Sequence, residues 1–137
     1  MIDYLQKFRL DTKTAYVVGG LGLIGREVSI ALASSGAKTI VLDLDSEKGQ
    51  PFEKDMRHKG FDVTFRSFDC ANMEQIDQNF SERLNEDGSP DVFINCSYPR
   101  TEDWAKSSFK DITLQSFQKN VDMHMNSYAW LARLAAE

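Results

Sequence analysis

The stretch AYVVGGLGLIGRE, Ala15 to Glu27, places four glycines within the seven residues Gly19–Gly25, directly after an apolar run. Each glycine in a regular element costs ~0.5–1 kcal/mol relative to alanine. A plain strand-to-helix turn needs only one or two of them. Ile24, Val28, Ala31 and Leu32 follow at i, i+4, i+7 and i+8, the stripe of a helix that buries one face. The glycines therefore sit where a buried strand hands over to a helix. There they permit a tight turn, let an anion approach backbone N–H groups, and let helix and strand pack closely.

The same alternation runs through all 137 residues, a length that supports one domain with a real core. KTIVLDLD reads as a second strand. SEKGQPFEKDMRHKG reads as a second helix, N-capped by Ser46, with Gly49 and Pro51 unsettling its start and a beginning near Pro51 as the alternative. FDVTFRSF alternates as a third strand. Asn72 and Gln75 have the spacing of a capping box, ahead of a helix that carries Met73, Ile76, Phe80 and Leu84 on one face. Gly88 and Pro90 end it, DVFINCS is a fourth strand, and Thr113 caps a long last helix after a polar loop. Strand–helix–strand alternation implies a parallel sheet with right-handed crossovers. The expected fold is α/β, a Rossmann-type doubly wound sheet in three αβα layers, with strand order 3-2-1-4.

In that context Gly20-Leu21-Gly22-Leu23-Ile24-Gly25 is a G-x-G-x-x-G, and Gly19, Gly22 and Gly25 also space as G-x-x-G-x-x-G. An acid, Asp43, ends the next strand, the spacing of a dinucleotide fingerprint. Asp45 and Ser46 are better placed to cap the following helix, which leaves Asp43 for ribose hydroxyls. A carboxylate there repels a 2′-phosphate, so NAD is expected over NADP.

Composition narrows the setting. The net charge of −5 comes without a basic cluster, which argues against nucleic acid or an anionic membrane as partner. Cys70 and Cys96 lack metal-ligand spacing and each ends a strand; reduced thiols and a cytoplasmic location are expected, with no metal. His58, in RHKG, is expected to be solvated at a helix end.

VVGGLGLIG resembles the glycine-rich signature of short-chain dehydrogenases/reductases. FDCAN resembles their acidic third-strand end, DVFINCSYP their D-V-x-x-N-N-A-G segment, and FQKNVDMHMNSYAWLARLAAE the long helix after it. Within the family, NCSYPR followed by DW is most similar to oxidoreductases of bacterial flagellin-modification and nonulosonate pathways. The resemblance implies hydride transfer between nicotinamide and an alcohol or carbonyl of a small-molecule substrate, sugar-type compounds among the candidates. It assigns Gly19, Leu21, Leu23, Ile24 and Gly25 to the pyrophosphate loop around Gly22, and Asp43 to the adenosine ribose. Asp69 and Cys70 would bracket adenine, and Asn95 would stand close to the cofactor. The last helix resembles one that often builds a dimer bundle, so a homo-oligomer is expected.

Two departures matter. Cys96, Ser97 and Tyr98 replace the usual N-A-G, and His124 stands where the family commonly has an asparagine that supports a water relay. Two readings of His124 stay open, an active-site group and a histidine that merely packs. The family's hydride chemistry also uses a serine and a Tyr-x-x-x-Lys pair. None of Tyr4, Tyr16, Tyr98 and Tyr128 has lysine four residues on. Residues 1–137 are thus expected to be one cofactor-binding domain that stops before those residues and is inactive alone. Two rivals are an extended-type sugar-nucleotide epimerase or dehydratase, and a non-catalytic dinucleotide-binding module.

Overall fold

A computed structural model describes residues 3–137. After a 3-10 turn at Tyr4–Phe8, four strands and their helices alternate. They are β1 (Thr14–Val18), α1 (Leu23–Ser34), β2 (Lys38–Asp43), α2 (Ser46–His58), β3 (Val63–Ser67), α3 (Ile76–Asp87) and β4 (Val92–Asn95). The last helical stretch divides into α4 (Leu114–Val121), a π-helical segment (Asp122–Asn126) and α5 (Ser127–Ala136). All pairings are parallel and the strand order is β3-β2-β1-β4. No helix is long and apolar enough to cross a membrane among the described residues.

Strand side chains alternate between faces, so two cores form, one on each side of the sheet. Tyr16, Val18, Ile40 and Leu42 point to one face and are covered by Ile76 and Phe80 of α3 and Leu131 of α5. Ile76, Phe80 and Leu84 are the face of α3 that meets this core, while Met73, expected on the same helix, precedes it and packs against the core from the turn before Ile76. Val41, Val63 and Phe65 point to the other face, under Ala33 of α1 and Phe52 and Met56 of α2. The result is the expected three-layer α/β arrangement.

Several local expectations change. Asp45, not Ser46, caps α2: its carboxylate accepts the Lys48 N–H at 3.1 Å. The helix begins at Ser46 and runs through Pro51. Proline there lacks the N–H that would bond the carbonyl of Glu47, a residue on the exposed side of the helix. Gly49 lies inside the helix because a Cβ would stand 2.4 Å from the Phe65 ring. Asn72 and Gln75 do not form a capping box; their side chains bond each other at 3.1 Å and α3 starts at Ile76. Thr113 does cap α4, accepting the Ser116 N–H at 3.1 Å. His58 is exposed in the last turn of α2.

Two polar clusters fix helices to the sheet. Asp87, at the end of α3, takes Arg66 of β3 in a two-pronged ion pair at 2.9 and 3.0 Å. The fully buried Tyr16 hydroxyl lies 2.9 Å from the Arg83 carbonyl and 2.7 Å from that of Gly88. On α2, Glu53 accepts the Phe65 N–H at 2.8 Å, while Arg57 donates to the Val63 carbonyl at 2.8 Å. This pair satisfies backbone groups on the outer edge of β3 that would otherwise invite strand addition.

Candidate functional site

Parallel register brings the carboxyl ends of the strands to one edge of the sheet. Val18 lies opposite both Leu42 and Asn95, and Asp43 opposite Ser67. Because β4 lies on the far side of β1 from β2, the chain reverses direction across the sheet at this edge. Ligands of open α/β sheets bind in the crevice outside such a switch point. A cleft of about 680 Å³ opens here, bordered by the glycine loop, Asp43, Asp69 and the segment after β4.

The glycine loop is built by close approach. Gly19 has φ +71°, and a Cβ on it would come 2.6 Å from the Ser97 backbone. A Cβ on Gly25 would stand 2.1 Å from the Gly19 carbonyl oxygen, so the first turn of α1 rests on the loop itself. Gly22 is the N-cap of α1 and offers no side-chain acceptor. The first-turn amides and the positive end of the helix dipole are therefore left for an anion. Leu23 and Ile24 are 96% and 73% exposed and form an apolar rim to the cleft. A glycine-rich loop, uncapped amides and an apolar rim fit a dinucleotide.

Asp43 borders the cleft and is anchored by two backbone donors. Oδ2 accepts the Leu21 N–H at 3.0 Å and Oδ1 the Leu44 N–H at 2.8 Å. A carboxylate has about four acceptor sites, so two remain for ribose hydroxyls. Asp69 also borders the cleft, its Oδ1 accepting the Ala71 N–H at 2.9 Å. Cys70 and Cys96 are free thiols lining the same space. Burial pushes both thiols up, against a Ser97 hydrogen bond in the case of Cys70, so neither is an activated nucleophile.

Four of the residues assigned from the sequence lie beside the cleft rather than along it. Leu21 turns into the α1–α2 core and contributes only its N–H. Gly25 supports the loop from below. Asn95 points its Oδ1 at the Ser97 N–H (2.9 Å) and hydroxyl (2.6 Å), and its Nδ2 is buried without a partner. His124 belongs to the π-helical segment, where its neighbour Met123 borders the cleft.

The surroundings of His124 were not legible from the sequence. Its ring stacks on Tyr98 at 4.8 Å and on Tyr128 at 5.9 Å, with Trp104 edge-on at 6.2 Å. Trp104 Nε1 donates to the Tyr98 hydroxyl at 2.9 Å, and the Tyr128 hydroxyl donates to the Ser97 carbonyl. The Nε2 atom of His124 is buried and has no partner. Tyr98 thus covers the histidine and lines the cleft. The one available signal was the i, i+4 spacing of His124 and Tyr128, which puts both rings on one helix face.

A sequence model of the short chain dehydrogenase family matches residues 13–137. Galactitol 2-dehydrogenase of Rhizobium johnstonii is 30% identical over 134 residues, covering 96% of this chain and 50% of the relative. An uncharacterized oxidoreductase of Thermotoga maritima is 31% identical over 86 residues, 63% of this chain and 34% of its own. The crystal structure of gox2181 superposes with a TM-score of 0.84 at 28% identity, over 98% of this chain and 51% of that one. A gluconate 5-dehydrogenase from Burkholderia cenocepacia, solved with NADP and tartrate, shares the fold with a TM-score of 0.82 at 22% identity, over 98% of this chain and 51% of that one. The chain spans about half the length of most of these relatives, and its matched residues, strand order and glycine loop agree: it belongs to the short-chain dehydrogenase family.

Proposed function

We propose that this chain is the cofactor-binding part of an oxidoreductase that moves hydride between a nicotinamide dinucleotide and an alcohol or carbonyl carbon, with NAD preferred. The observation that carries the cofactor choice is Asp43, a carboxylate anchored by two backbone amides at the edge of the cleft. Held in that way, it accepts from the ribose hydroxyls and repels a 2′-phosphate. Gly22, Leu23 and Ile24 present the first-turn amides of α1 to the pyrophosphate. Asp69 and Cys70 flank the adenine, and Asn95 fixes the loop after β4 through Ser97. The bound nicotinamide supplies or accepts the hydride.

His124 is read as a positioning group at the reacting end, since its partnerless Nε2 lies in a helix segment that borders the cleft. The serine and Tyr-x-x-x-Lys of the family are read as lying outside these 137 residues, so the chain alone is expected not to turn over. A polyol- or sugar-type substrate is favoured by the galactitol 2-dehydrogenase relative. The classical-looking DVFIN segment and long last helix argue against an extended-type epimerase. Calorimetry with NAD and NADP tests the cofactor assignment. NAD should bind at least about tenfold tighter, and Asp43→Ala should narrow that gap; equal affinities in the unmodified protein overturn it.

A further inference from the structure

We propose that Arg100 is a specificity-determining residue that holds an oxyanion carried by the substrate, in the segment after β4 that borders the cleft. The inference rests on reading the cleft as a dinucleotide site. Among the described residues, Arg100 is the only cationic side chain that borders the cleft. Asp43 ends β2 and Asp69 follows β3, whereas Arg100 follows β4, on the other side of β1 from both strands. Neighbouring strands lie ~4.8 Å apart, so about 10 Å of sheet separates β2 from β4. A dinucleotide with its adenosine at Asp43 and its phosphates on α1 reaches the β4 side with its reacting end. Arg100 stands where substrate must enter.

The guanidinium is uncommitted. It enters no ion pair or side-chain hydrogen bond among the described residues, and it lies over the face of Tyr98, 6.0 Å from the ring centroid. Its backbone is fixed on both sides. Tyr98 is held by Trp104 and stacked on His124, and Pro99 follows it. Thr101 gives its N–H to Asn120 Oδ1 at 3.1 Å and receives Asn120 Nδ2 on its hydroxyl at 2.7 Å. Asn120 is 0% exposed, so a buried amide serves to pin the residue next to Arg100. An arginine that merely solubilised a loop would need no such anchoring. Arg presents five N–H donors in a planar fork that matches carboxylate or phosphate. The cofactor's own phosphates have the α1 amides, which leaves Arg100 for a second anion. The substrate class is therefore an alcohol or carbonyl compound that carries a carboxylate or a phosphate.

The test is calorimetric titration of the intact protein, with and without NAD, using a matched series of glucitol, gluconate and glucitol 6-phosphate. At least one anion should bind about tenfold tighter than neutral glucitol, the gain from one charge-assisted contact. Arg100→Gln should abolish that advantage and Arg100→Lys should keep part of it, with NAD affinity within about twofold and Tm unchanged. Preference for gluconate identifies a carboxylate, and preference for glucitol 6-phosphate a phosphate. Equal or absent binding of all three overturns the proposal, as does an anion advantage that survives Arg100→Gln. A loss confined to NAD affinity also overturns it, by assigning Arg100 to the cofactor. Absence of NAD binding in the unmodified protein overturns the dinucleotide reading instead, and the titration without NAD still decides the role of Arg100.

Discussion

A methyl group on Gly25 would stand 2.1 Å from the Gly19 carbonyl, far inside contact distance, with backbone rather than a flexible side chain as the obstacle. Gly25→Val must therefore move the first turn of α1 off the loop and tilt away the amides that face the cleft. Dinucleotide affinity should fall by at least about tenfold, and overpacking should cost about 1–3 kcal/mol of stability. Calorimetry and thermal melting on the same sample separate the two effects; unchanged affinity in a normally folded variant would leave the glycines with only a turn-forming role. His124 poses the complementary question. In the intact enzyme, His124→Ala should lower kcat while NAD affinity holds, because the ring borders the reacting end through Tyr98 and Met123. Normal kcat with a lowered Tm would make the ring a packing element of its aromatic cluster.

At the scale of elements, α3 is tied to the sheet by groups that respond to alkali. The Tyr16 phenol is pushed up to about 12, first by burial and then by the Asp87 carboxylate. An unfolded tyrosine titrates near 10. A raised folded pKa means the stabilisation is complete below pH ~10 and is lost as pH rises through the folded value near 12. Denaturant midpoints should thus decline between about pH 10 and 12, and Tyr16→Phe should flatten that decline. An equally steep loss in Tyr16→Phe would locate the alkaline sensitivity elsewhere. The last helical stretch makes a different use of its backbone. Its π-helical turn at Asp122–Asn126 puts His124 beside Tyr98 and Met123 at the cleft, and such turns recur at functional sites.

Over the whole molecule, what could be read in advance was what local rules determine. Strand–helix alternation implied the parallel order, and the sheet has it because right-handed crossovers leave few other arrangements. Glycine spacing and the acid after the second strand located the loop and Asp43, since both follow from backbone needs of a few adjacent residues. The misreadings have a common cause. Ser46 and Asp45 are both good caps, and only the entry angle of the chain into α2 decides for Asp45. By local rules Gly49 unsettles the start of α2, and it is Phe65, distant in sequence, that leaves no room there for a side chain. The Tyr98–His124–Tyr128 stack, the Asn120 anchor and the setting of Arg100 all join the loop after β4 to the last helix, and no local pattern announces such contacts.

Chemical-shift mapping of the 15N-labelled chain titrated with NAD tests whether the cleft at the carboxyl ends of these strands holds a dinucleotide. Saturable shifts should concentrate at Gly19–Gly25, Asp43–Leu44 and Asp69–Ala71, with NADP requiring higher concentrations to produce them. Shifts centred away from this edge of the sheet, or none at millimolar NAD in a folded sample, would contradict it.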